Sequence, residues 1–226
     1  MTGQRGKLIV LEGAEGVGKT TQIRRLGETL TARGIRHTAV REPGGTHVGD
    51  EIRRLLLDPG PELGARTEAL LFMASRAELV DRVIRPALDS GLVVVADRFF
   101  LSTYAYQIAG RGLDDREVTQ ANLFATGGLV PDLTVLMRLS VAAALARTDS
   151  RGSRDRIEAA ADDFHHRVAA AFDRFADPGW QHRHPEWGAV VSVDAAGTVD
   201  DVAAAVIGVL EQKWPETFRP AVGSHP

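Results

Sequence analysis

Apolar residues follow two rhythms along this chain: short unbroken runs, and stripes at helical spacing. Leu8-Ile9-Val10-Leu11 is an unbroken run of strand type. Behind it Ile23, Leu26 and Leu30 recur at helical spacing, and Gly34 marks a stop just past the last turn. Arg36 to Val40 reads as a second strand, Asp50 to Leu57 as a helix, and Asp58-Pro59-Gly60-Pro61 as a turn. Thr67 to Ile84 is a long helical pattern. Its consecutive Leu70, Leu71, Phe72 and Met73 are too wide for one stripe, which predicts burial on two faces. Leu92 to Ala96 is β-branched and continuous, as expected of a parallel strand covered on both sides. Ser102 to Ala109 and Asp115 to Ala125 read as helices, Leu133 to Leu139 as a strand and Val141 to Arg147 as a helix. Ile157 to Phe175 follows as a long helix and Ala189 to Val193 as a fifth strand. Val199, Val202, Val206 and Leu210 mark a last amphipathic helix, and Trp214 to Pro226 reads as a loose tail.

Strands alternating with helices predict an α/β fold, with a parallel sheet wrapped on both faces. Ligands of such sheets sit outside the carboxyl ends of the strands. The loops at Gly13–Thr20, Arg41–Thr46 and Asp97–Arg98 each follow a strand, so they are expected to share one crevice. The organisation expected is a single domain over 1–213 with a tail over 214–226.

Composition narrows the picture without redirecting it. With 226 residues, 44% hydrophobic and 25% charged, the chain is an ordinary globular sequence. A net charge of −3 lacks the basic footprint of a nucleic-acid partner. No apolar run approaches the ~20 residues that span a bilayer, and no signal-like segment precedes the first strand. The chain has no cysteine, which removes disulfides, thiolate metal sites and cysteine nucleophiles. The cytoplasm is the expected compartment.

The chemistry begins at Gly13-Ala14-Glu15-Gly16-Val17-Gly18-Lys19-Thr20, which fits Gly, four residues, Gly, Lys, Thr between a strand and a helix. Glycines let successive backbone N–H groups point at phosphate oxygens, and the helix N-terminus adds its dipole. Lys19 can then reach the β- and γ-phosphates, and Thr20 can offer a hydroxyl to Mg²⁺. Asp97 ends a hydrophobic strand, where phosphate-loop proteins keep a carboxylate near the metal. Arg98 beside it suits bidentate grip of a second phosphate. Arg147, Arg151, Arg154 and Arg156 surround a Gly- and Ser-containing loop, Thr148 to Arg154, that resembles a lid (about 148–156) able to neutralise a transferring phosphoryl group. Phe72 and Arg76 lie at i and i+4, so a ring and a guanidinium project together. Thr103, Tyr106 and Gln107 form another small group. His165 and His166 are adjacent, and His182 and His184 are two apart, so neither pair has the spacing of a helical zinc site. The lack of any Asn-Lys segment argues against a GTPase, and a compact domain with a late basic loop favours a small-molecule kinase.

Four segments in order carry a closer resemblance: Glu12 to Thr21, Arg41-Glu42-Pro43-Gly44-Gly45-Thr46, Asp97-Arg98-Phe99 with Ser102 to Gln107, and Asp155-Arg156-Ile157-Glu158. Together they resemble bacterial thymidylate kinase, of the type with its catalytic arginine in the lid. The resemblance implies a P-loop nucleoside monophosphate kinase fold with five parallel strands, and transfer of the ATP γ-phosphoryl to dTMP with Mg²⁺. It places ATP on Gly13, Glu15, Gly16, Val17, Gly18, Lys19, Thr20 and Thr21, and the metal on Thr20 and Asp97. It places dTMP against Glu15, Arg41, Pro43, Phe72, Arg76, Arg98, Thr103, Tyr106 and Gln107. Phe72 would stack on thymine, Arg76 would bond its edge and Tyr106 would disfavour a 2′-hydroxyl. Lys19, Arg98, Arg151, Arg154 and Arg156 would be catalytic, with the choice among the last three open. A homodimer is also implied. The alternatives are a kinase of another deoxynucleotide or deoxynucleoside, and a non-catalytic ATP-binding regulator. The stretch from Asp177 to Gly188 departs from the family pattern.

Overall fold

The computed structural model describes residues 5–58, 62–140, 143–144, 147, 156–157 and 160–219. Its centre is a five-stranded sheet in the order β2-β3-β1-β4-β5. The strands are β1 (Leu8–Glu12), β2 (His37–Arg41), β3 (Val93–Asp97), β4 (Leu133–Arg138) and β5 (Val190–Asp194), and every neighbouring pair is parallel. β1 is central and wholly buried. Its alternate side chains feed two cores, as strand geometry requires. Leu8 and Val10 join one face; Ile9 and Leu11 join the other.

The helices are α1 (Lys19–Ala32), α2 (His47–Leu57), α3 (Ala65–Leu79), α4 (Arg85–Asp89), α5 (Phe100–Thr103), α6 (Asp115–Thr126), α7 (Asp162–Phe175), α8 (Pro178–Arg183), α9 (Val199–Lys213) and α10 (Pro215–Phe218). Leu26 and Leu30 of α1 and Val202, Val206 and Leu210 of α9 cover one sheet face. Leu79 of α3 and Phe164, Val168 and Phe172 of α7 cover the other.

Most expected elements stand within a few residues of where the apolar rhythm placed them, and three departures carry a physical reason or a consequence. The helical run from Ala65 continues past Ile84 to Asp89 through a π-turn, Val80–Ile84. Pro86 supplies the reason: it lacks an N–H, and its ring clashes with the carbonyl one turn back, so the helix widens. The helix expected from Ile157 starts at Asp162, after Ala161 turns to an extended conformation; acidic Asp162 and Asp163 then favour a first turn. The tail is not loose through Arg219. Phe218 is fully buried, Lys7 lies 5.4 Å from the Trp214 ring, and the Phe218 carbonyl accepts from Arg33. Of the helix expected over 141–147, Ala143, Ala144 and Arg147 are described, all helical.

The unfamiliar stretch from Asp177 to Gly188 belongs to the core. Asp177 caps α8, and Trp180 and Trp187 bury against Tyr104 at 5.7 and 4.9 Å between ring centres. Tyr104 opens a π-turn, Tyr104–Gly110, that continues α5. That turn carries Tyr106 and Gln107 toward the carboxyl ends of the strands.

Candidate active site

Gly13 leaves β1 at φ 144, where an added Cβ would sit 2.5 Å from the Met137 carbonyl oxygen, so only glycine fits. Gly18 caps α1 in the left-handed region at φ 93. Between them the chain wraps the buried Lys19, whose Nζ donates to the carbonyls of Gly13 (3.0 Å) and Ala14 (2.9 Å). Burial, reinforced by the Arg98 charge, lowers the Lys19 pKa to about 8. Its charge is thus held in a setting that an anion would relieve.

At the end of β3, Arg98 adopts φ 71, alone among the described non-glycine residues in that region. Glu12, buried at the end of β1, accepts from the backbone N–H of Phe99 (2.8 Å) and of Ser102 (3.0 Å) and from the Ser102 hydroxyl (2.7 Å). These bonds hold the turn that aims Arg98 inward. The guanidinium donates to Glu15 (3.0 Å), Ser102 (3.0 Å), Tyr106 (3.1 Å) and the Gly13 carbonyl (3.3 Å). Burial works against its charge, but Tyr106, Glu15, Glu12 and Asp97 outweigh it and raise the pKa. Burial also raises the Tyr106 pKa, with the Arg98 charge working in the opposite direction.

Asp97 stands beside this group and accepts from the Thr20 hydroxyl at 3.1 Å. One hydroxyl and one carboxylate suit Mg²⁺, which keeps several waters and takes its remaining ligands from phosphates. Among the described residues no cluster of three or more His, Cys, Asp or Glu could hold a metal alone. The donor set therefore fits a metal that arrives with a nucleotide.

A cavity of about 810 Å³ opens at this rim of the sheet. Glu15, Gly16, Gly18, Lys19, Thr20, Asp97 and Arg98 line one end, and Arg41, Pro43, Phe72, Arg76, Thr103, Tyr106 and Gln107 line the rest. Gly13, Val17 and Thr21 belong to the same loop and helix start. Thus the three expected loops and both expected side-chain groups share one cleft. Arg41 is exposed on its wall, 3.7 Å from Asp50.

Arg76 differs from its expected posture. It is 2% exposed, and its five N–H groups all meet protein acceptors: Glu42 twice, Thr103 at 2.7 Å, Asn122 at 2.5 Å and the Phe99 carbonyl at 2.9 Å. Of the lid arginines, Arg151 and Arg154 lie outside the described residues. Arg156 donates to the Leu56 carbonyl (2.8 Å) and to Glu68 (2.7 Å), away from the phosphate loop.

Several residues here carried no assignment in the sequence. Glu12 and Glu42 lay within motifs, yet only the fold reveals them as buried acceptors. Glu68 on α3, Asn122 on α6 and Arg53 on α2 had no local signal. They matter through partners 39 or more residues away, or, for Arg53, through the Pro43 carbonyl at 2.9 Å.

Comparison with known proteins adds an independent line. A family model described as Thymidylate kinase matches residues 11–185. The thymidylate kinase of Desulforudis audaxviator is 49% identical over 178 residues, covering 77% of this chain and 80% of its own. That of Deinococcus radiodurans is 43% identical over 209 residues, covering 92% and 98%. That of Lactobacillus delbrueckii is 40% identical over 218 residues, covering 95% and 100%. With its phosphate loop, its strand-end Asp97-Arg98 pair and these relatives in agreement, the chain belongs to the thymidylate kinase family of ATP-dependent nucleoside monophosphate kinases.

Proposed function

We propose that this chain phosphorylates dTMP to dTDP with ATP and Mg²⁺, as a homodimer in the ATP-rich cytoplasm. The observation that carries the reading is the single cleft in which Lys19, Asp97 and Arg98 meet Phe72, Tyr106 and Gln107. Backbone N–H groups from Gly13 to Thr21 cradle the ATP phosphates, and Lys19 leaves the Gly13 and Ala14 carbonyls to reach them. Thr20 and Asp97 hold Mg²⁺, which when bound offsets charge on the phosphates. Arg98 and Arg41 grip the acceptor phosphate, and Arg98 also sets Glu15 and Tyr106 beside its sugar. Phe72 stacks on the base. Arg76 serves the base pocket from behind, fixing Thr103 and Glu42.

The nucleophile is an oxygen of the acceptor 5′-phosphate, largely ionised near neutral pH because its second pKa is about 6. It attacks the γ-phosphorus while the bond to the β–γ bridging oxygen breaks and ADP departs. No general base is required; alignment and charge stabilisation supply the catalysis. Arg151 and Arg154 supply positive charge to the transferring group, and Arg156 anchors the root of their loop.

The dimer reading rests on apolar side chains left outward on two packed helices: Phe124 of α6 is 90% exposed and Leu70 of α3 is 62% exposed. Product analysis after mixing the protein with ATP, Mg²⁺ and each nucleoside monophosphate tests the activity. dTDP is the expected product. Formation of another diphosphate in preference, or of none, refutes the reading.

A further inference from the structure

Glu68, in the first turn of α3, is 1% exposed and bears four hydrogen bonds. Arg111 binds it side-on, Nε to Oε1 at 3.0 Å and Nη2 to Oε2 at 2.9 Å, and Arg156 Nη2 reaches Oε2 at 2.7 Å. The fourth donor is the side-chain amide of Gln107, Nε2 to Oε1 at 3.3 Å. Two guanidiniums keep this carboxylate ionised, and an ionised carboxylate has no proton to give. Only the NH₂ end of Gln107 can therefore face it. That leaves the amide oxygen as the end available to a ligand: Gln107 lines the cleft, and among the described residues nothing donates to this oxygen.

Thr103, one helical turn earlier, completes the pattern. Its Oγ1 accepts from Arg76, and its own hydroxyl hydrogen has no acceptor among the described residues. Arg76 itself has no N–H to spare. The wall beside Phe72 thus offers an oriented acceptor at Gln107 and an available donor at Thr103. A 2,4-dioxopyrimidine presents the complement, an N3–H donor next to a C4 carbonyl acceptor. A 4-aminopyrimidine presents the reverse, an N3 acceptor next to an amino donor.

We infer that Glu68 is a positioning residue for base selection: by fixing the Gln107 amide it makes the cleft choose dioxopyrimidine over aminopyrimidine nucleotides. This rests on the reading that the Phe72 end of the cleft receives the acceptor base. Glu68 touches no substrate; it acts through Gln107.

The test is the ratio of kcat/KM for dTMP to that for dCMP, with the ratio of dTMP to dUMP as an internal control. Glu68→Gln can present either end of its own amide, so Gln107 is no longer constrained. The dTMP-to-dCMP ratio is expected to fall by about tenfold or more, the scale of one net hydrogen bond. The dTMP-to-dUMP ratio should stay unchanged, since both bases carry the same N3–H and C4 carbonyl. Gln107→Leu should lower the first ratio as much, and the double variant no further. Glu68→Asp, which keeps the charge, should restore most of the preference. Should Glu68→Gln fail to fold, Gln107→Leu and Glu68→Asp decide. Equal losses with dTMP and dCMP, or an unmoved ratio in Gln107→Leu, overturn the inference. A parent enzyme that does not use dTMP refutes the underlying functional reading instead, so the two failures are separable.

Discussion

Arg98, at φ 71, points its guanidinium at the Glu15 carboxylate 3.0 Å away, so a strand end and a phosphate loop meet through one ion pair. The same guanidinium lies 5.0 Å from the Tyr106 ring centre and bonds its hydroxyl. Arg98→Lys keeps a charge but loses the planar fork that serves four partners. We expect kcat/KM for dTMP to fall by about 100-fold or more, comparable to losing one preorganised donor at a reacting phosphate. Steady-state kinetics with thermal unfolding as a control would reveal this. Turnover within a factor of a few of the parent would remove Arg98 from the acceptor site.

Lys19→Ala should abolish phosphoryl transfer while sparing the fold. Its ammonium is buried with a lowered pKa, so deleting it removes a desolvated charge from the ligand-free protein. The expected signature is turnover lower by about three orders of magnitude or more, with no drop in melting temperature. A coupled assay reading ordinary turnover would sink the site.

Phe72 is the proposed stacking platform. Base–aromatic stacking contributes roughly 1–3 kcal/mol. Phe72→Ala should therefore raise the KM for dTMP by about 10-fold or more while leaving the KM for ATP nearly unchanged. An effect confined to ATP would move Phe72 out of the acceptor pocket.

Glu68 should also make stability depend on pH. Burial pushes its carboxyl pKa up, but the hydrogen bonds from Arg111 and Arg156 outweigh that and hold it below the ordinary 4.5. The folded chain then binds fewer protons here than the unfolded chain. This contribution to stability is complete above the unfolded value and fades as pH falls through the lower folded one. Urea denaturation near neutral pH should find Glu68→Gln less stable than the parent, with the gap closing well below pH 4.5. A gap that ignores pH would show that the charge of Glu68 plays no part in folding.

Phe124→Glu places a charge on the most exposed large apolar side chain of α6. If the proposed dimer uses this face, light scattering should find the parent dimeric and the variant monomeric. A dimer that survives the change would locate the interface elsewhere.

Local pattern alone was enough for the strands, the phosphate loop and the family. Unbroken apolar runs, helix-spaced stripes and a glycine-rich loop are written in neighbouring residues, and each implies its geometry through backbone sterics and burial. From strand order it also followed that Lys19, Asp97 and Arg98 lie at one rim, because loops after parallel strands emerge on the same edge. The tertiary structure alone decided which polar groups face the cleft and which are consumed inside the protein. Arg76 and Phe72 look alike in register, yet the guanidinium is spent on Glu42, Thr103, Asn122 and the Phe99 carbonyl. Glu68, silent in sequence, gathers Gln107, Arg111 and Arg156 from distant segments. A buried donor takes the best acceptor within about 3 Å, and that neighbour is chosen by packing rather than by position along the chain.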